Sequence, residues 1–358
     1  MQHRGMPEPQ PHQPPRLQVS RPGVVVPVRI DPTGASGPTP AQSRGRRWRS
    51  TSRGLYVPSE VDPDNLEQRI VEVAAALPAY GGVTGWAALA WAGGKWFDGL
   101  APDGRTPLPV WLVTSCADIR SQTGFRVSAE GLNPRDLTEI DGLPVTSLVR
   151  AVCFEMRYAR NLPGAVTALD MAAYSDLVSI DEARAYSERL RGRTGIPRCR
   201  EAIELADENS WSPQESPMRL IWQKGAGRPR PLCNVPVFDS NGRHVGTPDL
   251  LDPVAGVAGE YDGSLHLQGA QRLKDVKREG DFRRVGLEYV TMLAGDRADP
   301  GPFIGRLLDA YARAGRIPAD HRTWSLTLPP WWTDDSTVAK RRALTGSARE
   351  RLLRMRAA

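Results

Sequence analysis

The sequence is poor in several features that would each indicate a particular class of protein. It has no apolar run near the ~20 residues of a membrane-spanning helix, and no charged start followed by an apolar segment typical of a signal peptide. Its four cysteines, Cys116, Cys153, Cys199 and Cys233, include no C-x-x-C pair, which argues against a zinc site or a dense disulfide framework. We therefore expect a soluble, cytoplasmic protein with reduced cysteines, no membrane contact and no small-molecule cofactor.

What the sequence does have is glycine, proline and an excess of positive charge. Residues 1–43 are rich in Pro, Gln and Gly and show no apolar period, which predicts a disordered tail. The formal net charge of the 358 residues is +6, which favours a polyanionic partner. Basic residues gather around Trp48 and near the C-terminus, where they predict either phosphate contacts or solvated surfaces. These residues are Arg44, Arg46, Arg47, Arg49, Arg341, Arg342, Arg349, Arg351, Arg354 and Arg356.

Apolar periodicity predicts a mixed α+β unit followed by helices. A strand is expected at 55–57, a helix at 65–77, a second helical stretch at 83–91 and a strand at 110–114. Four further helices are predicted at 146–157, 165–173, 182–191 and 197–206. We expect this part, residues 44–207, to serve as a scaffold.

The next segment begins with a helix and turns into strands. Ser212-Pro213-Gln214-Glu215 predicts a helix start with Ser212 as N-cap and Glu215 completing a capping box. Strand-like stretches at 234–238 and 244–251 flank Asp239-Ser240-Asn241-Gly242, whose Asn-Gly pair favours a tight reversal.

The segment from Gly246 to Gly263 predicts a β-hairpin that gathers acidic residues. If 253–256 form the loop, Asp252 faces Val257 and Asp249 lies opposite Glu260. Side chains alternate along a strand, so Asp262 shares the face of Glu260. Three clustered carboxylates repel one another unless a cation neutralises them, and Mg²⁺ prefers oxygen ligands. The alternative is that these acids only flank turns or sit at exposed strand positions.

The same segment resembles the PD-(D/E)xK nuclease superfamily, most closely its very-short-patch-repair (Vsr)-like branch. The matching motifs are Pro248-Asp249-Leu250-Leu251, then Glu260-Tyr261-Asp262-Gly263 with His266, and Asp275-x-x-Arg278 with Phe282, Arg283 and Gly286-Leu287-Glu288. The resemblance implies a restriction-endonuclease-like mixed sheet flanked by helices over residues 208–315, with a closing strand at 288–292 and a covering helix at 303–314. A smaller α+β domain would precede it.

The resemblance also implies roles for particular residues. Asp249, Glu260 and Asp262 would hold Mg²⁺ or Mn²⁺, although Asp262 stands where most of the superfamily has a lysine. Glu215 would orient water or a ligand, and His266 would donate a proton or act as an outer ligand. Three basic residues would hold the DNA backbone: Lys277, Arg278 and Arg283.

Residues 44–207 resemble actinobacterial proteins of the AbiEi antitoxin type. The motifs are Arg53-Gly54-Leu55-Tyr56-Val57-Pro58, the stretch 83–89 and the stretch 142–150. In that family the helices of a winged helix-turn-helix precede the wing that carries the Arg-Gly-x-Tyr motif. Here the corresponding helices would fall in the Pro-rich tail. Residues 44–58 are therefore either a DNA-contacting wing or part of a docking domain.

Three functions follow from these patterns. The leading hypothesis is a metal-dependent DNA endonuclease, and the alternative is a DNA-binding, antitoxin-like regulator with an inactive nuclease fold. A protein-interaction module at Trp324, Trp331 and Trp332, within a Trp- and Pro-rich loop and basic C-terminal helix at 316–358, is a third. The sequence leaves the oligomeric state open.

Overall fold

The computed structural model describes residues 17–115, 119–263 and 269–357. The chain forms two compact units, which divide between Glu155 and Met156. Both units combine α-helices with mixed or antiparallel β-sheets, as the predicted α+β class requires. Over the described residues, no helix has the length and apolar character needed to cross a membrane.

The first unit contains a small antiparallel sheet and a larger mixed sheet. Its elements are β1 (Val28–Arg29), β2 (Trp48–Ser52), β3 (Leu55–Pro58), α1 (Leu66–Ala74), β4 (Gly81–Thr84), α2 (Trp86–Trp91), β5 (Val110–Thr114), β6 (Phe125–Ser128), β7 (Leu137–Ile140), β8 (Leu143–Thr146) and the start of α3 (Leu148–Tyr158). The small sheet has the order β1-β3-β2 and the larger one β6-β5-β4-β8-β7. Strand β5 and helix α1 confirm the predictions for 110–114 and 65–77.

Two predictions for the first unit are corrected. The sequence predicts a helical stretch throughout 83–91, but Val83 and Thr84 belong to β4, every residue of which is buried. A strand buried on both faces lacks the alternation that distinguishes it from a buried helix. The expected tail is ordered in part, because β1 pairs with β3 and the Gln68 side chain holds both backbone groups of Val25. Between residues 17 and 47 the described chain contains no α-helix, so no helix-turn-helix precedes β2 there.

The second unit is built on a four-stranded mixed sheet. After α3 its elements are α4 (Leu162–Tyr174), α5 (Ile180–Glu188), α6 (Ile196–Leu205), α7 (Glu215–Leu220), β9 (Leu232–Cys233), β10 (Val237–Asp239), β11 (His244–Gly246), β12 (Leu250–Asp252), β13 (Val257–Asp262), α8 (Gly269–Arg284), β14 (Glu288–Leu293), α9 (Gly301–Ala314), β15 (Trp324–Ser325), α10 (Val338–Ala343) and α11 (Gly346–Ala357). The main sheet has the order β14-β13-β12-β9, with β14 parallel to β13 and the other pairs antiparallel. A second sheet has the order β11-β10-β15.

Apolar cores lie on both faces of the main sheet. On one face, Trp222 after α7 and Phe303 of α9 pack with Leu250. On the other, Phe282 of α8 packs with Leu251 and Ala258. Alternate residues of each strand therefore face different helices, and the sheet is flanked by helices on both sides. Strand β14 and helix α9 confirm the predictions for 288–292 and 303–314.

The division between the units differs from the predicted boundary after residue 207. Helices α4 to α6 belong to the second unit because Asp170 of α4 forms a fully buried ion pair with Arg219 of α7, at 2.6 Å. This long-range contact leaves no local mark in the sequence. Ser179 does cap α5 in a capping box with Glu182, as that sequence suggests.

The C-terminal arginines and the cysteines also have defined surroundings. Arg341 is fully buried against Asp176, while Arg342 binds Glu182. These two arginines therefore bind carboxylates of the protein itself. The sequence predicts instead that they contact phosphate or lie on a solvated helix face. Cys153, Cys199 and Cys233 are buried thiols, and Cys116 lies outside the described residues.

Candidate active site

The hairpin of β12 and β13 has the register that the sequence predicts. Asp252 pairs with Val257 and Leu250 with Gly259, so Asp249 lies at the next position, opposite Glu260. The turn forms because the Asp252 carboxylate accepts hydrogen bonds from the backbone N–H groups of residues 254 and 255, each at 2.9 Å. Asp252 is thus a structural acid, whereas Asp249 and Glu260 face the same side of the sheet.

Asp249 is half-buried and bonded to the facing strand. Its Oδ2 accepts a hydrogen bond of 2.7 Å from the backbone N–H of Tyr261. Burial raises the pKa of the Asp249 carboxyl above its usual value, and this hydrogen bond and the charge of Arg278 oppose the rise only in part. Asp249 is therefore a carboxyl that binds a proton more readily than it would in water.

Glu215 adds a second carboxyl to the same place. Its Oε2 accepts hydrogen bonds from the Trp211 backbone N–H at 2.8 Å and from the Asn234 side-chain amide at 2.6 Å. Burial and the nearby negative charge of Asp249 raise the pKa of Glu215 to about 8. The predicted capping box is wrong, because α7 begins at Glu215 without a side-chain cap and the carboxylate turns back to Trp211.

Glu260 has partners from two other elements. Its Oε1 lies 2.7 Å from Nε of Arg278 on α8, and its Oε2 accepts a hydrogen bond of 2.8 Å from the Tyr289 hydroxyl on β14. Burial and the charge of Glu260 raise the pKa of Tyr289, so its hydroxyl keeps its proton as a donor. Arg278 also donates to the carbonyl oxygen of Thr247. Arg278 therefore connects β13 to the segment that leads into β12, beside the carboxylates.

The remaining predicted site residues are arranged differently. Asp262 ends β13, opposite Leu293, on the face of Glu260. Arg283 is 51% exposed and paired with Glu279, and Lys277 is exposed on α8. Within the described parts of the chain, no three His, Cys, Asp or Glu side chains are grouped so as to hold a metal ion. His266 lies outside the described residues.

Several neighbours of the carboxylates are not predicted from the sequence. Trp211 and Asn234 hold Glu215, Tyr289 holds Glu260, and Thr247 anchors Arg278. Alternation along the predicted strand 288–292 could have placed Tyr289 on a defined face of the sheet. Nothing local indicates Asn234, which adopts a positive φ of 48° after a two-residue strand.

Comparisons with known proteins give limited information. The chain is 29% identical over 154 residues to an uncharacterized protein of Mycobacterium tuberculosis, in both the Oshkosh and the H37Rv strain. The match covers 42% of this chain and 56% of each relative, so the chain spans little more than half the length of the curated relatives. No family model matches the chain. No solved structure matches it either.

Proposed function

We propose that the second unit is a metal-dependent endonuclease that hydrolyses phosphodiester bonds of DNA. The observation that carries this proposal is the pair of carboxyls Glu215 and Asp249: burial and, to a smaller extent, the charge of Asp249 raise the pKa of Glu215 to about 8, and burial raises the pKa of Asp249. Such a pair keeps a proton unless a cation takes its place. Two neighbouring acids with raised pKa values at the end of a hairpin are an arrangement typical of an active site.

The fold supports the proposal independently of the acids. The Vsr-like resemblance implies a mixed sheet flanked by helices, a closing strand after the helix with Arg278, and a covering helix. The second unit has each of these elements, with β14 parallel to β13 and α9 packed over one face. The hairpin register also brings together Asp249 and Glu260, the two acids on which the resemblance depends most.

The oxygen donors fit a Mg²⁺ or Mn²⁺ ion. Mg²⁺ usually takes only one or two protein carboxylates and completes its shell with water and substrate phosphate, so a three-residue cluster is not required. Asp249 and Glu260 would hold the ion, with Asp262 and Glu215 beside them. A bound ion would polarise the phosphodiester and lower the pKa of an attacking water.

The chain's own residues have distinct tasks in this proposal. The Tyr289 hydroxyl and the Arg278 guanidinium orient Glu260 while the carboxylate is not engaged elsewhere. Arg278 keeps a donor on the Thr247 carbonyl, so it stays near the site when Glu260 binds the ion and can then bind a phosphate oxygen. With its raised pKa, Glu215 keeps its proton near neutral pH, so it is suited to donate a hydrogen bond to a water beside the ion.

A second candidate function is supported by the Arg278–Glu260 contact. If this ion pair keeps the site closed, and Asp262 cannot replace the usual lysine, the unit would be a DNA-binding regulator that has lost nuclease activity. The net charge of +6 is compatible with DNA binding in either case.

A nicking assay with supercoiled plasmid tests the choice. Wild type with Mg²⁺ or Mn²⁺ should nick the plasmid, and Asp249→Asn should lower the rate by at least ~100-fold, because the ion loses a charged ligand. Asp181→Asn is the matched control, since the Asp181 side chain on α5 is 95% exposed. Metal-independent binding without nicking, unchanged in Asp249→Asn, would favour the regulator. The same assay with a labelled RNA tests whether the protein cleaves RNA as well as DNA.

A further inference from the structure

An aromatic cavity of about 710 Å³ adjoins the carboxylates in the second unit. Three of its lining residues are the ones that hold those carboxylates: Trp211 and Asn234 bind Glu215, and Arg278 pairs with Glu260. A molecule that enters this cavity therefore comes to lie directly beside the candidate active site.

Aromatic rings form another part of the cavity lining. Trp331 and Trp332 lie 5.5 Å apart between ring centroids, and the His244 ring lies 4.8 Å from Trp332. Phe238 packs edge-on against both tryptophans and supports them from the β10 side. Trp331 nevertheless remains 60% exposed, so its ring is available for stacking. Burial lowers the pKa of His244, which favours a neutral, stackable imidazole.

Polar groups at the same cavity are suited to a heterocycle with hydrogen-bonding edges. Asn234 is only 2% exposed, and its Oδ1 has no hydrogen-bond partner among the described residues. Arg278 and Arg351 add positive charge to the lining, against one negative charge from Asp335. A base offers a π-face to the tryptophans, and the phosphates that flank it offer negative charge to the arginines.

We infer that this cavity binds a nucleobase turned out of its strand, so that the preferred substrate has an unpaired base next to the bond to be cut. A base inside an intact duplex is stacked on its neighbours and has no free π-face for the tryptophans, whereas a base turned out of its strand has one. The choice of ligand rests on the proposed nuclease function, but binding of the base does not require the metal or cleavage.

Fluorescence anisotropy in EDTA with a labelled octamer of thymidylate tests the inference apart from catalysis. The matched probe is an octamer with the same phosphates in which the central residues are abasic, and a hairpin duplex is the third probe. Wild type should bind the thymidylate octamer about tenfold more tightly than the abasic one, since base stacking contributes on that scale. Trp331→Ala should reduce this preference about fivefold or more, and Trp331→Phe should restore most of it. Trp96→Ala is the control and should leave the preference unchanged, since Trp96 is a tryptophan of the first unit that is 38% exposed.

Equal binding of the thymidylate and abasic octamers, tighter binding of the duplex, or an unchanged preference in Trp331→Ala would overturn the inference. The nuclease proposal fails separately: a base preference in EDTA without any nicking in Mg²⁺ would retain the cavity assignment and reject the enzyme. Nicking by a protein that shows no base preference would retain the enzyme and reject the cavity assignment.

Discussion

Arg278 and Glu260 form an ion pair of 2.7 Å that occupies one oxygen of the carboxylate expected to bind metal. The Arg278 side chain is 40% exposed and the Glu260 side chain 14%, so the guanidinium can turn away from the carboxylate while the glutamate stays in place. A cation and the guanidinium therefore compete for the same carboxylate. This competition makes metal binding at the site depend on a residue of α8.

We predict that Arg278→Gln strengthens Mn²⁺ binding. Removal of the competing charge should raise the affinity for Mn²⁺ roughly tenfold, which is the free energy of about one pKa unit. Calorimetric titration of Mn²⁺ into both proteins measures this change. Cleavage should nevertheless fall, because the phosphate contact is lost. Arg283→Gln is the control, since Arg283 pairs with Glu279 along α8. Weaker Mn²⁺ binding in Arg278→Gln would show that the arginine does not compete with the metal.

We predict that Glu215 makes the second unit less stable as pH rises. Its pKa is about 8 in the folded protein, against 4.5 for an unperturbed glutamate, so the folded state retains a proton that the unfolded state has lost. The free energy of unfolding should therefore fall between about pH 4.5 and about pH 8, because in that range the folded state binds more protons. Thermal unfolding of wild type and Glu215→Gln from pH 5 to pH 8.5 measures the difference.

The glutamine variant should show a shallower decline with pH than wild type. Glu155, whose pKa burial raises to about 7, contributes a decline of its own in the first unit and is present in both proteins. Glu155→Gln is therefore the informative control, because it should change the slope for the first unit only. Identical slopes for wild type and Glu215→Gln would mean that Glu215 titrates normally.

The sequence predicts the parts of the site that depend on local spacing and fails where a distant residue decides. The register that places Asp249 opposite Glu260 follows from a four-residue loop, which fixes both strands at once. The capping box at Glu215 fails because Asn234, after an intervening strand, draws the carboxylate away from its own helix start. The pairing of Glu260 with Arg278 is not predicted either, because the charge of an arginine alone does not distinguish a phosphate from a carboxylate partner.

The buried ion pair of Asp170 and Arg219 should be essential for the stability of the second unit. Arg219 also donates to Ser210 Oγ and to the Leu205 carbonyl, and neither side chain of the pair reaches solvent. Arg219→Met leaves the Asp170 carboxylate buried without its cation, which should cost ~3–5 kcal/mol. Urea unfolding measures this loss.

Lys224→Met provides the comparison for Arg219→Met. Lys224 and Glu201 form an ion pair in which both side chains are about half exposed, at 52% and 53%. Solvent screens such a pair, so its loss should change stability by less than ~1 kcal/mol. A similar effect of the two substitutions would indicate that Asp170 finds other compensation when Arg219 is absent.

The packing of α7 against the hairpin predicts that Gly259 tolerates no side chain. A Cβ atom at this position would lie 2.7 Å from the Trp222 ring and 2.9 Å from Met218 Cε, and both side chains are fully buried. Gly259→Ala should therefore destabilise the unit by ~1–3 kcal/mol through overpacking. It should also disturb the site, because Glu260 is the next residue.

A glycine in an open position gives the opposite expectation. Gly305 lies on the exposed side of α9, and beyond the backbone of its own helix and its chain neighbours no described atom lies within 4 Å of the place that a Cβ would occupy there. Gly305→Ala should therefore stabilise the unit by ~0.5–1 kcal/mol through its higher helix propensity. Paired urea titrations of the two variants would then shift the midpoint in opposite directions. If Gly259→Ala were as stable as wild type, α7 would not be packed tightly against β13, and Glu215 would lose the rigid support that keeps it beside Asp249.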